Sequence, residues 1–154
     1  MVSNGQSGKA STLIGRRILI GSAAILLLPG TKAPKNNMIS PDDAFRGATS
    51  GRLLLIDIRR PDEWCETGIA RPATPLDMRR AKFDEILLSL VGGNRARRIA
   101  LICASGGRSS TLARRLRSAG FANILDVSGG MKGGWYSKGW IDLGLPLRKY
   151  CVAP

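Results

Sequence analysis

The chain has no histidine in its 154 residues. That absence removes His-based general acid and base catalysis, Cys–His dyads, Ser-His-Asp triads and every His-containing metal site. Cysteine is scarce as well. Cys65, Cys103 and Cys151 are too few to frame a disulfide-rich miniprotein and too widely spaced to serve as zinc ligands. No metal and no cofactor is expected. Aromatic residues make up 5% of the chain, and no basic stretch is interleaved with them. No nucleic-acid recognition module is visible, so no nucleic-acid partner is expected. Long apolar runs are also missing. The longest mostly apolar stretch, Ile18 to Leu28, is well short of the about 20 residues a spanning helix needs.

What is present is an aliphatic, basic chain. Hydrophobic residues make up 44%, which suits a compact domain rather than a disordered one. The formal charge is +13. Four basic residues and no acids precede residue 34, which leaves 20 basic against 11 acidic residues in the remainder. Such a surface attracts anions through its summed field.

The N-terminal segment reads as an address. Arg16-Arg17 stand before the apolar run, in a segment whose lead is polar. Eleven residues is the length of a signal-peptide core. The segment "GRRILIG" resembles a bacterial twin-arginine export signal, with Gly15 at the serine position and Gly21 replacing the lysine. "TKA" (31–33) resembles a signal-peptidase site, but Pro34 follows and disfavours cleavage. The expected organisation is an export signal or short membrane anchor over 1–33, one domain over 34–150 and a tail over 151–154. The expected location is the bacterial periplasm, with a membrane tether through residues 12–28 where the signal is retained.

The domain alternates strands and helices. "SPDDAFRG" (40–47) predicts a helix, with Ser40 as cap, Pro41 in the first turn and Asp42 and Asp43 at the positive dipole end. "RLLLIDIR" (52–59), "RRIALIC" (97–103) and "NILDV" (123–127) predict buried strands, and "TPLDM" (74–78) a brief one. "RPDEWCETG" (60–68) predicts a short helix stopped by Gly68. "RRAKFDEILLSLVGG" (79–93) predicts a helix burying Phe83, Ile86, Leu87, Leu90 and Val91. "RSSTLARRLRSAG" (108–120) predicts another, with Leu112 and Leu116 inward. "SGGMKGGWYSKGW" (128–140) predicts a glycine-broken loop and short helix. Trp135, Tyr136 and Trp140 are expected to pack in the core and rim. The alternation predicts an α/β layered fold with a mainly parallel sheet, whose functional loops lie at strand C-termini. Asp57, Arg59 and Cys103 all fall at such ends.

"CASGGRSS" (103–110) carries the chemistry. A strand ends, a tight loop follows and a helix begins. The first amides of a helix lack internal partners and sit at its positive end. Gly106 and Gly107 let the loop curl so that successive N–H groups face its centre, which makes an anion nest. Cys103 would place its sulfur there, Arg108 would add a fixed positive charge, and Ser109 would cap the helix or donate to the sulfur.

These residues resemble a single-domain rhodanese, a sulfurtransferase. Four elements carry the resemblance: Asp57-x-Arg59; Pro61, Glu63 and Trp64; the cysteine loop; and Gly129, Gly130 and Trp135. It spans about residues 38–147. It implies a rhodanese-like three-layer α/β domain with a central, mainly parallel sheet flanked by helices. It further implies that Cys103 accepts a sulfane sulfur from a small anionic donor such as thiosulfate. Loop groups from Ala104, Ser105, Gly106, Gly107, Arg108 and Ser109 would hold the persulfide, Arg108 would bind donor or brace the loop, and Asp57 and Arg59 would support the rim. The acceptor would be a thiol, cyanide or a protein. One departure is "GIARPA" (68–73), where the family commonly has Gly-His-Ile-x-Gly-Ala.

Two rivals remain at this point. Related phosphatases of the fold use a loop one residue longer than Cys103-x4-Arg108. A thiol redox sensor or persulfide carrier without turnover would use the same cysteine, with Cys65 or Cys151 as disulfide partner or with those two paired to each other.

Overall fold

The computed structural model describes residues 37–151. The expected export signal and residues 152–154 of the tail lie outside that range. Among the described residues no helix is long and apolar enough to cross a membrane.

Five strands form a sheet in the order β1-β6-β5-β2-β4, all parallel: β1 (Met38–Ile39), β2 (Leu54–Asp57), β4 (Thr74–Pro75), β5 (Ile99–Ile102) and β6 (Ile124–Val127). β2 and β5 pair in register from Leu54↔Ile99 to Asp57↔Ile102. A parallel sheet covered on both faces needs strands that are apolar throughout; "IALI" meets that need, and "LLID" does so up to Asp57, whose buried carboxylate is paired with Arg59. Alternate residues go to opposite cores. Ile56, Ile58, Ile99, Leu101 and Ile124 face α3 (Phe83–Leu90) and α4 (Gly107–Ser118) through Phe83, Leu87, Leu112, Ala113 and Leu116. Leu55, Ala100, Ile102, Leu125 and Val127 face Ala44 of α1 (Pro41–Thr49) and the fully buried Trp140. These layers are the expected α/β architecture.

Local chemistry sets the boundaries. Ser40 caps α1 by accepting from the Asp43 amide at 3.1 Å, with Pro41 next in the first turn. α2 (Pro61–Thr67) stops at Gly68, whose φ is +74°. A Cβ there would meet the Arg148 carbonyl at 2.7 Å. That close approach accommodates a second, antiparallel sheet of β3 (Ile69–Ala70) and β7 (Leu147–Arg148). Ile69, where the family pattern commonly has histidine, is fully buried in this sheet.

Three expectations are corrected. The helix expected over 79–93 is confined to Phe83–Leu90, and Leu90 is exposed because the turn ends beyond the core face. Residues 128–140 contain no helix. Successive glycines break them into turns, with an isolated bridge between Gly134 and Ser137. On that projecting segment Trp135 and Tyr136 are fully solvent-exposed, so only Trp140 of the three aromatics packs inside.

Cys65 and Cys151, left open as partners by the sequence, are joined by a disulfide spanning 86 residues. It ties α2 to the chain just beyond β7. Trp64 and Tyr150 stack edge-to-face beside it at 5.7 Å. Cys103 is the free cysteine.

Candidate active site

Cys103 follows β5 directly and is 1% exposed. Its Sγ accepts from the Gly106 N–H at 3.1 Å. The Ser109 hydroxyl lies 3.2 Å from the same sulfur and 3.1 Å from the Gly106 carbonyl. The Gly106 amide can point inward because this residue adopts φ +98°, a conformation that favours glycine. Gly107 then starts α4, a 12-residue helix whose positive end is directed at the sulfur. Ala104 and Ser105 complete the curve without bonding to Sγ.

The other side of the loop is held by the glycine segment after β6. The Met131 and Lys132 amides donate to the Cys103 and Ala104 carbonyls, both at 2.8 Å. This turns the negative ends of those peptide dipoles away from the sulfur. Gly130 makes the approach feasible. Its φ is +58°, and a Cβ there would meet the Cys103 carbonyl at 2.5 Å and the Ala104 carbonyl at 2.8 Å.

Arg108 stands at the rim, about a third exposed, and is gripped by Glu63 of α2. The guanidinium donates through both Nη atoms, at 2.7 Å to Oε2 and 2.6 Å to Oε1. Glu63 Oε2 also accepts from the Arg60 N–H at 3.0 Å, closing the start of its own helix. Arg108 holds the Glu63 carboxyl down at about 2 despite burial, which acts in the opposite direction. Reciprocally, Glu63 raises Arg108 above its ordinary value, with a smaller contribution from Cys103.

Asp57 and Arg59 do not touch the cysteine loop in any recorded hydrogen bond; they support α2. Both are fully buried. Arg59 donates to the Asp57 carboxylate through Nε at 3.0 Å and Nη2 at 2.7 Å. It also donates to the Glu63 carbonyl, the Thr67 hydroxyl and the Gly68 carbonyl. All five guanidinium donors are thereby used. The expected rim pair is thus the first link of a relay of contacts: Asp57 to Arg59, Arg59 to the α2 backbone, Glu63 to Arg108, and Arg108 to the loop. Glu63 belonged to the recognised Pro-x-Glu-Trp element, but its partner 45 residues away was not visible in the sequence.

A groove of about 960 Å³ borders the loop at Ser105, Gly106, Gly107 and Ser110, and Trp135 and Tyr136 also line it. Asp126 lines it too. This side chain is 8% exposed and its Oδ1 has no hydrogen-bond partner. Burial pushes its carboxyl above the ordinary range, while the nearby Ser109 hydroxyl and Arg117 partly offset that effect. Among the described residues no group of three Cys, Asp or Glu side chains is arranged to hold a metal.

A parallel sheet carrying a cysteine loop between a strand end and a helix start is the architecture these residues build. The family model described as "Rhodanese-like domain" matches residues 40–138, and the chain belongs to that family. It is similar to an uncharacterized protein of Rickettsia rickettsii, 29% identical over 117 residues covering 72% of this chain and 88% of that protein. A Rickettsia prowazekii relative, also uncharacterized, is 30% identical over 105 residues, covering 64% and 85%. Among solved structures it resembles the polysulfide-sulfur transferase homodimer of Wolinella succinogenes, 29% identical with a TM-score of 0.55, over 73% of this chain and 79% of that one. A rhodanese-related protein from Thermoplasma volcanium is 26% identical with a TM-score of 0.52, over 73% and 98%.

Proposed function

We propose that this protein is a sulfurtransferase that carries sulfane sulfur as a persulfide on Cys103. The observation that carries this reading is the convergence of the Gly106 N–H and the Ser109 hydroxyl on Sγ at the start of α4. These groups stabilise negative charge on a sulfur at that point without any imidazole. With thiosulfate as donor, the Cys103 thiolate attacks the outer sulfur. A new S–S bond forms, the donor's S–S bond breaks, and sulfite departs with the electron pair. A thiolate or cyanide acceptor then attacks the outer persulfide sulfur, leaving as a persulfide or thiocyanate and restoring the thiolate. Arg108, partly exposed at the rim, offers guanidinium N–H groups to an anionic donor. The similarity to a polysulfide-sulfur transferase makes polysulfide a second donor to test.

The compartment proposed is the bacterial periplasm, reached through the N-terminal signal, with residues 12–28 as a tether where that signal is retained. The Cys65–Cys151 disulfide supports an oxidising location. It also disfavours an intramolecular redox switch, because both potential partners of Cys103 are already joined to each other.

The test is the intact mass of the full chain after thiosulfate or polysulfide treatment, beside a Cys103→Ser variant. Gain of one sulfur by the native protein only, lost again on adding cyanide, is the expected result. No gain from either donor in a folded sample with a free Cys103 thiol overturns the reading.

A further inference from the structure

The parallel sheet gives the domain two chemically unlike ends. Cys103 lies just after the C-terminal end of β5, and Arg97 and Arg98 lie just before its N-terminal end. At about 3.3 Å per residue, the strand separates them by roughly 15 Å. Three pieces of chain meet at the arginine end: the turn into β2 with Arg52, the turn into β5 with Arg95, Arg97 and Arg98, and the last turn of α4 with Arg117. Hydrogen bonds join them into one surface. Arg97 donates to the Gly51 carbonyl at 2.6 Å, Arg95 to the Ala119 carbonyl at 2.8 Å, Arg117 to the Ile124 carbonyl at 3.1 Å, and the Asn123 amide to the Ala96 carbonyl at 2.7 Å.

The partners of these arginines are carbonyls rather than carboxylates, so their charge is not neutralised. Among the described residues none of the five forms an ion pair. Arg52, Arg95, Arg97 and Arg98 are exposed. Two carboxylates lie near: Asp126, which feels Arg117, and Asp43, in a cleft shared with Arg52 and Arg98, which Arg46 already holds at 2.6 Å.

We propose that this arginine end docks on an anionic lipid bilayer, leaving the Cys103 loop turned towards solvent. Cations held close to an anionic bilayer surface are attracted to it, each with a comparable contribution. The surface lacks what single-stranded nucleic-acid binding adds, exposed aromatics for base stacking. Phe121 is buried beneath Arg95, and the fully exposed Trp135 and Tyr136 border the cysteine loop instead. The sequence supplies a second membrane signal. The apolar run Ile18–Leu28 is too short to span, and such weak elements reach stable attachment when a polybasic patch acts with them. The inference rests on the domain's own charge and not on the sulfur-transfer reading.

The test is co-sedimentation of the full chain with vesicles of phosphatidylcholine alone or mixed equally with phosphatidylglycerol. Binding by the apolar N-terminal run is common to both vesicle types, and the four basic residues before residue 34 are unchanged in every variant, so the loss from parent to variant reads the arginine end. The anionic vesicles bind more tightly, and salt erases the difference. The triple variant Arg52→Ser/Arg97→Ser/Arg98→Ser loses about fivefold per arginine, roughly a hundredfold in all. The matching triple lysine variant loses the same Arg97–Gly51 contact but keeps the charge, and it binds like the parent. The proposal is overturned if the serine variant, folded by circular dichroism, keeps the parent's full anionic preference, or if the lysine variant falls to the level of the serine variant. Tighter binding of a DNA duplex than of anionic vesicles at equal salt overturns it too, as does quenching of Trp135 fluorescence by spin-labelled lipid.

Discussion

Arg108, one residue into the helix that follows the cysteine loop, is gripped from across the site by Glu63, with both guanidinium Nη atoms on the two carboxylate oxygens. The guanidinium therefore reaches the rim already oriented, and its position depends on α2 as much as on its own helix. Glu63→Gln leaves the shape but removes the charge. Sulfur uptake by Cys103 is expected to fall about tenfold or more, as misplaced binding groups commonly cost, and to rise again where the donor is saturating.

The same pair sets a pH dependence. Glu63 titrates at about 2 in the folded protein, below its ordinary 4.5. Its contribution to stability is complete above about 4.5 and is lost as pH falls towards 2. Allowing for the partial exposure of Arg108, that contribution is about 1–2 kcal/mol. Urea unfolding at pH 7 and pH 3 reads it. Glu63→Gln should show the smaller drop between the two.

Arg59 uses every donor it has inside the protein. Arg59→Leu strands the Asp57 charge in the core and is expected to cost about 3–5 kcal/mol. The Asp57→Asn/Arg59→Leu double variant should recover part of that loss, because no buried charge remains. Denaturant midpoints of the three proteins decide it. If the double variant is as unstable as the single one, the pair's role is geometric rather than electrostatic.

Gly130 and Gly51 separate crowding from backbone strain. Both have positive φ, but a Cβ at Gly51 has nothing within 4 Å, while at Gly130 it strikes the cysteine loop. Gly51→Ala should cost about 1 kcal/mol and leave sulfur uptake unchanged. Gly130→Ala should cost more, about 2–3 kcal/mol, and should slow alkylation or sulfuration of Cys103 by displacing its carbonyl.

The Cys65–Cys151 bond closes most of the domain into one loop. Loop-closure entropy places its contribution at about 4.6 kcal/mol. Cys151→Ser, or reduction of the native protein, should lower the unfolding free energy by a similar amount, read from denaturant midpoints, while Cys103 in the still-folded variant continues to accept sulfur.

Much of this was legible in the sequence because it is local. "LLLID", "IALIC" and "NILDV" are apolar enough to be central strands, and Ser40-Pro41-Asp42-Asp43 marks a helix start within four residues. The cysteine loop was readable for the same reason: its glycines, arginine and serine are contiguous. What escaped is pairwise and distant. β1, β3 and β7 are two residues each and carry no period. The Glu63–Arg108 contact joins residues 45 apart, and the disulfide joins residues 86 apart. Trp135 and Tyr136 misled because a large aromatic usually packs inside. Here the surrounding glycines fold the segment into a projecting turn, and the core position goes to Trp140.

The span of the disulfide also orders events in biosynthesis. α2 is made early, with Cys65 as an unpaired thiol, and its partner is added 86 residues later. By then β5, the cysteine loop and α4 have all been synthesised. Disulfides form in an oxidising compartment, where the completed chain presents three thiols, and two of their three pairings involve Cys103. The burial of Cys103 beneath its loop therefore also acts as a safeguard: in the folded domain the sulfur that must stay free is covered, which leaves Cys65 and Cys151 to pair with each other.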